Sequence, residues 1–340
     1  MKITGYGLLT AAGSTAAALA GAGAARADMS ALHDDLPRPD ACAIPGFDIR
    51  AELGRKGTSA FDRATGLAIV ACGRALADAG VEVEAPERVG LVLGTTEGSL
   101  RSTMEYSRET LVQDRPYLVN PVLFPNTVMN CAAGQAAIWF GLKGVNATIA
   151  GGSLAFLQSL RYASNALDRG YADTILVGAV EEFTAHRAWT AELAHGRPAG
   201  EAAAVFVVEK DPQERTPVAE VLAVAAGFGQ DRGALVSCLR RALARAGARP
   251  EEIDLMATGD LPGERAESDA VTAVAGRDLP QAGPGDRFGH CGAAAGALAL
   301  AGVLGRLGDG ELAVITGRAA DGAVAAAVVK GRGDARADRR

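Results

Sequence analysis

The sequence predicts an α/β protein with largely parallel sheets. Short apolar runs rich in β-branched residues alternate with segments of helical periodicity along the chain. Glycines bound many of these runs, and the order of elements over about residues 1–210 recurs over about 215–330.

Ile3 to Leu9 reads as a first strand, followed by a loop over Thr10–Thr15 and a helix over Ala16–Ala27. His33 to Lys56 holds three prolines and several charges and reads as irregular surface. Phe61 to Ala79 is helical and closed by Gly80; Val89–Gly94 is a buried strand, Thr95–Ser99 a turn, and Leu100–Val112 a helix. Pro116–Asn126 is irregular, and Thr127–Gly141 is helical. Ala147–Ala150 reads as a short buried strand, as do Thr174–Gly178 and Ala202–Val208. A second round follows: strand Val218–Ala226, helix Gly233–Gly247 with arginines outward, strand Ile253–Thr258, helices Glu264–Val274 and Ala293–Leu307, and strands Leu312–Thr316 and Ala323–Val329. The domains expected are 1–210 and 211–330, with a polar, disordered tail over 331–340.

The chain has 340 residues, 49% of them hydrophobic, enough for a large core. A net charge of −6 disfavours nucleic acid and anionic membrane as bulk partners, and an acidic protein partner would need a local basic patch. Cys42, Cys72, Cys131, Cys238 and Cys291 are scattered and unpaired in pattern, as expected of reduced thiols in the cytoplasm. His33, His186, His195 and His290 are dispersed too, so neither metal nor cofactor is expected. Lys2, the alanine-rich run and Ala25-Arg26-Ala27 imitate a secretion signal, but Gly5, Gly7 and Gly13 interrupt it and the segment reads as a strand. No run approaches the ~18 apolar residues of a membrane span.

The stretch Gly144 to Phe156 organises the chain. A strand leads into the tight turn Gly151-Gly152, and Ser153 then opens a helix carrying Phe156, Leu160, Ala163 and Leu167 at helical spacing, with Gly170 to end it. Free N–H groups and the helix dipole favour negative charge there, so the position suits a nucleophile. A serine before a helix also suits an N-cap, and both readings of Ser153 stand at this point.

Taken in order and spacing, several blocks carry a family likeness. They are Ile3-Thr4-Gly5-Tyr6-Gly7 with Thr10 and Gly13; Val89 to Gly94; Phe124 to Asn130 with Ala133-Gly134-Gln135; Gly144 to Ser153; Gly178 to Glu182; Gly200 to Val205; and Gly289-His290 with Ala293 to Gly296. The chain resembles the β-ketoacyl synthases over nearly its whole length. The resemblance implies a thiolase-like fold, with duplicated βαβαβαββ halves in an α-β-α-β-α layering.

The departures from that family bear on function. An active member carries at the elbow a cysteine thiolate, which the helix N-terminus makes more acidic; here the residue is Ser153. The family's first catalytic histidine matches Thr258, its lysine matches Gly285, and only His290 remains. The loop that carries a phenylalanine in the family matches Arg318 to Gly322 and reads Arg-Ala-Ala-Asp-Gly; the segment from His186 to Gly200 is short and lacks the usual Pro-Phe-Asp element. Groups that act as a unit fail together.

An intact frame without these groups resembles the chain-length factor, the ketosynthase-β subunit of type II polyketide synthases. The resemblance implies a heterodimer with an active ketosynthase and a carrier protein bearing the chain, with no nucleic acid or membrane involved. Leu123, Phe124, Thr127 and Val128 match the interface segment and are the candidates to close the tunnel, or else they are ordinary core and helix-start residues. Aromatic-pathway members usually carry glutamine at the elbow, so Ser153 points to a reducing or polyene-type system. His290 is a structural remnant or a base; Cys291 reads as a small buried residue, and Trp139 and Phe140 as packing. Two other functions stay open: an acyltransferase using Ser153 and His290, and a stand-alone carrier-binding pseudoenzyme.

Overall fold

In chain order the computed structural model, which describes residues 1–20, 26–212, 215–260, 263–283 and 285–332, runs β1 (Lys2–Thr10), α1 (Ala16–Ala20), β2 (Ala27–Asp28), β3 (Asp40–Ala41), α2 (Ile49–Leu53), α3 (Arg63–Ala79), β4 (Val89–Thr95), α4 (Leu100–Val112), α5 (Cys131–Phe140), β5 (Asn146–Ala150), α6 (Ala155–Asp168), β6 (Thr174–Glu181), α7 (Ala185–His195) and β7 (Ala202–Glu209). It continues with β8 (Ala219–Phe228), α8 (Arg232–Ala246), β9 (Ile253–Ala257), α9 (Ala266–Ala275), α10 (Ala295–Leu304), β10 (Leu312–Arg318) and β11 (Ala323–Gly331). Helix ends follow local chemistry. The Asp62 carboxylate accepts from Thr65 N–H to cap α3, and Gly80 closes that helix in the left-handed region.

Nine strands hydrogen-bond in the order β5-β4-β6-β7-β1-β8-β11-β10-β9, and β2 with β3 forms a separate ribbon. The seam between the two wings is thin, because β1 meets β8 only at Lys2–Glu220 and Ile3–Ala219. Side chains alternate across each wing. In the first wing Val92, Ile175, Val177, Ala204 and Phe206 pack toward α6 and α10, and Leu91, Leu93, Leu176, Val205 and Val207 pack with α3 and α5. In the second, Ala313, Ile315, Ala325 and Ala327 point to the same central helices, and Val314, Val324, Ala326 and Val328 to α8 and α9. The result is the five-layer α-β-α-β-α arrangement of a thiolase-like fold.

The sheets are mixed rather than largely parallel. Among the described residues β5–β4, β4–β6 and β10–β9 are parallel, while β6–β7, β7–β1, β1–β8, β8–β11 and β11–β10 are antiparallel. Alternation of strands and helices does not force parallel pairing when a short loop such as that from β10 to β11 joins neighbours directly. Helix α1 is described over Ala16–Ala20 and Ala27 starts a strand; 21–25, inside the expected helix, lie outside the described residues, as does most of the expected tail, 333–340. The segment 33–56 contains β3 and α2, α5 begins at Cys131, and α7 occupies a stretch whose sequence gave no expectation. Strand β5 is an edge strand, half-exposed, with Asn146 and Ala150 facing solvent, so the expectation of a buried strand does not hold there.

Two matching turns deliver the central helices. Each is a single 3-10 turn, Gly152–Leu154 before α6 and Gly292–Ala294 before α10, and each starts on a glycine in the left-handed region, at φ 54° and 47°. A Cβ on Gly152 would meet nothing within 4 Å, whereas one on Gly292 would lie 2.5 Å from Thr96 Oγ1 and 2.9 Å from Arg187 Nη2. Gly152→Ala should therefore cost only the left-handed strain, about 1–2 kcal/mol. Gly292→Ala should cost clearly more in urea denaturation; equal losses would contradict this packing.

Candidate functional site

The elbow turn packs against the Gly292–Ala294 turn and against the ends of β10 and β11. Ser153 is exposed on it, and its Oγ donates to the Arg318 carbonyl at 3.3 Å. The hydroxyl is not a cap: Leu154 holds the N-cap position of α6, with no side-chain cap bond. An intervening 3-10 turn carries Ser153 off the helix axis, which defeats the capping expectation. No hydrogen bond links Ser153 to a histidine or carboxylate among the described residues; its one hydrogen-bond partner there is the Arg318 carbonyl.

Thr258 follows β9 and is buried. Gln281 Nε2 donates to its Oγ1 at 2.6 Å, and Asp260 Oδ2 lies 3.5 Å away. Asp260 is itself committed to the start of α9, accepting from Glu267 N–H at 2.8 Å and from Ser268 N–H and Oγ at 2.7 and 2.5 Å. The Glu267 carboxylate is buried and accepts from Gly259 N–H and Thr316 Oγ1; burial pushes its pKa up despite these bonds. The position matched to a histidine thus belongs to a closed structural network.

His290 is half-buried, with its backbone tied to Pro198 and Gly200. Its ring stacks on exposed His195, centroids 4.3 Å apart. Burial, then the charges of His195, Arg187 and Arg197, lower its pKa to about 4, so the ring is neutral at pH 7. Arg187 pairs with buried Glu181, whose other oxygen accepts from Thr96 N–H at 2.5 Å; Arg197 pairs with Asp286. Cys291 is buried with its Sγ 3.0 Å from the Phe288 carbonyl, and burial pushes its thiol pKa up, as expected of an inert residue. Gly285, the position the sequence matched to the family's lysine, starts a 3-10 turn at φ 57°.

The interface-like segment lies elsewhere, around a 3-10 turn over Phe124–Thr127. Phe124 and Val128 are exposed, and Leu123 and Thr127 half-buried. Thr127 Oγ1 donates to the Phe124 carbonyl at 2.8 Å, and the Phe124 ring meets Tyr106 of α4 at 5.8 Å. Met129, Ile138 and Trp139 are exposed too, near the open edge of β5. Sequence reasoning missed the group that steadies this region. Buried Glu182 accepts from Ser99 Oγ and Arg101 N–H at the start of α4, and burial pushes its pKa up to about 7. Its only signal was membership of the Gly178–Glu182 block. Glu201, from the Gly200–Val205 block, is likewise structural: fully buried, it takes Arg63 at 2.5 and 2.8 Å and the N–H groups of Ile44 and Phe183.

The layered fold and its two glycine turns define a thiolase-like class of protein. Family models for the β-ketoacyl synthase N-terminal domain and C-terminal domain match residues 14–211 and 220–316. The chain belongs to the β-ketoacyl synthase family. It is 26% identical over 211 residues to 3-oxoacyl-[acyl-carrier-protein] synthase 2 of Vibrio cholerae, covering 55% of this chain and 50% of that protein. The Staphylococcus aureus protein of the same description is 26% identical over 209 residues, covering 55% and 52%. The chain thus spans about half the length of the curated relatives it matches. Among solved structures it is similar to one described as the ishigamide ketosynthase/chain length factor, at TM-score 0.87 and 35% identity over 98% of this chain and 99% of that one. A type II PKS acyl-carrier protein in complex with its ketosynthase shares the fold, at TM-score 0.81 and 14% identity over 97% and 98%.

His290 carries a pH prediction. Its folded pKa lies below the unfolded value of about 6.5, so its contribution to stability is complete above that value and declines as pH falls toward about 4. His290→Asn should flatten the pH dependence of urea stability between pH 6.5 and 4. An unchanged slope in that window would contradict the neutral, stacked ring.

Proposed function

We propose that this chain is a non-condensing subunit of chain-length-factor type. It pairs with an active ketosynthase in the cytoplasm and shapes the tunnel in which a carrier-borne chain grows in type II polyketide biosynthesis, of the reducing or polyene kind. The observation that carries the proposal is the elbow. The turn that presents a nucleophile is kept, but among the described residues Ser153 has only the Arg318 carbonyl as hydrogen-bond partner. A serine alcohol needs a base within hydrogen-bond reach to attack a thioester. Thr258 is no base, and the His290 ring stacks on His195 instead. Without base or thiolate the elbow holds the frame and does no acyl transfer.

The pairing rests on surface physics. An open edge strand and exposed Phe124, Val128, Ile138 and Trp139 form an apolar face of the kind a stable partner covers. The similar structures supply the kinds of partner, a ketosynthase and an acyl carrier protein. Leu123 and Thr127 are the proposed length-setting residues, since a larger side chain shortens an apolar tunnel. The halves 1–210 and 211–330 are taken as two arms of this one subunit.

Co-expression tests the proposal. Expressed alone, the chain should self-associate; with a neighbouring ketosynthase it should elute as a one-to-one complex, which Val128→Glu or Ile138→Glu should break. In that complex Leu123→Trp or Thr127→Trp should shorten the product, and Ser153→Ala should leave its yield within about twofold. A stable monomer that never binds the ketosynthase, or product lost on Ser153→Ala, would overturn the proposal.

A further inference from the structure

Glu182 follows β6 and is 1% exposed, yet its carboxyl is only half satisfied. Its Oε1 accepts from Ser99 Oγ and from Arg101 N–H, both at 3.2 Å. Its Oε2 is sealed from solvent and has no hydrogen-bond partner among the described residues. The charged groups packed around it are committed elsewhere or carry the same sign. From α3, Arg63 is bound to Glu201 at 2.5 and 2.8 Å, and the Asp62 carboxylate caps the helix. From α7, Arg187 pairs with Glu181 and lies 3.9 Å from Glu97, in the loop before α4. Arg101 of α4 turns to Glu105 at 2.8 Å. His33 rests its ring on Phe183, and burial lowers its pKa, so it brings no charge at neutral pH. Cys131 of α5 is a neutral thiol whose pKa burial raises.

A charge on this carboxyl is therefore poorly accommodated. Burial first, then the Asp62 charge, pushes its pKa up to about 7 against the pull of the two hydrogen bonds. The cavity beside it, lined by Asp62, Thr95, Ser99, Cys131 and Thr148, has about 10 Å³, room for a single water. An ionised Oε2 gains solvent only if its cover moves. That cover is the start of α4. The Ser99 hydroxyl, which donates to Glu182, accepts in turn from Ser102 N–H and caps the helix. From there α4 holds the interface-like segment at two points: Tyr106 meets the Phe124 ring at 5.8 Å, and the Glu109 carboxylate accepts from Asn120 N–H at 2.5 Å. The loop before α4 presses on the same segment, since a Cβ on Gly98 would stand 2.9 Å from Met129 Cα. The folded pKa lies above the ordinary glutamate value of about 4.3. The folded chain thus keeps a proton that the unfolded chain has lost, and stability declines as pH rises from that value toward about 7.

We propose that Glu182 is a pH-sensitive latch on α4: protonated, it holds the first turn of the helix closed against the end of β6, and ionised, it drives that turn open and loosens the segment 120–129. The latch lies within this chain and needs no partner. The test is hydrogen–deuterium exchange of the purified full chain, read on peptides within 99–112, with wild type beside Glu182→Gln at pH 6 and at pH 8.5. The amide keeps the shape of the carboxyl and cannot ionise. The two proteins should exchange alike at pH 6, and wild type should exchange about fivefold faster or more at pH 8.5. Asp62→Asn removes the like charge and keeps a capping side chain. It should shift the pH at which exchange accelerates to a lower value than in wild type, in profiles from pH 5 to 9 corrected for intrinsic rates. If Glu182→Gln does not fold, those two profiles decide the matter alone. Equal exchange of wild type and Glu182→Gln at both pH values overturns the inference. So does a difference of the same size at both, or a midpoint that Asp62→Asn leaves in place.

Discussion

The packing of α6 against α10, between the two wings of the sheet, is the constraint on which the rest of the molecule depends. Every residue of α10 from Ala297 onward is buried, so this helix has no solvent face to spare. Close approach is obtained with small residues: a Cβ on Gly296 would stand 3.4 Å from the Phe156 side chain, and one on Gly302 would stand 2.4 Å from the Ala282 carbonyl. Both helices must therefore begin at tight glycine turns, and those turns meet at one end of the core. Neither turn depends on what side chain follows its glycine. A frame of this kind tolerates the exchange of a nucleophile for Ser153 without losing its architecture.

The polar groups at the matched positions are engaged in the fold. Thr258, Asp260, Gln281 and Glu267 satisfy one another and the start of α9. Glu181 and Arg187 tie the turn before α10 to the loop after β4, through Thr96. Buried groups arranged this way rigidify a site and leave no free base in it. Catalysis asks for the opposite, a titratable group held near its working pKa and aimed at the reacting atom. His290, pushed down to about 4 and stacked on His195, meets the first requirement poorly and is not hydrogen-bonded to Ser153.

Much of the fold was legible in the chain. Helix α3 with its Gly80 stop, helix α4 at Leu100–Val112 and the central strands follow from periodicity and caps. The ordered blocks pointed to the layered fold, and Ser153, Thr258 and Gly285 could be read as departures from its chemistry. What was not legible depends on the third dimension. The sequence Asn146–Ala150 is as apolar as a buried strand, and its edge position is a property of sheet order alone. The antiparallel pairings are likewise set by connection geometry, and α7 hides in a polar stretch. The hydroxyl of Ser153 looked like a helix cap because the 3-10 turn before α6 leaves no trace in composition. The structural duties of Glu182, Glu201 and Glu267 surfaced only with burial, since a carboxylate in a sequence reads first as a surface group.

The central claim is that this chain keeps the elbow and leaves the acyl transfer to its partner. The most direct measurement is intact-protein and peptide mass spectrometry of the ketosynthase complex after incubation with a mass-tagged acyl carrier substrate. The account predicts the acyl mass on the partner ketosynthase and none on the peptide containing Ser153. A stable acyl adduct on Ser153, absent from the Ser153→Ala complex, would contradict it.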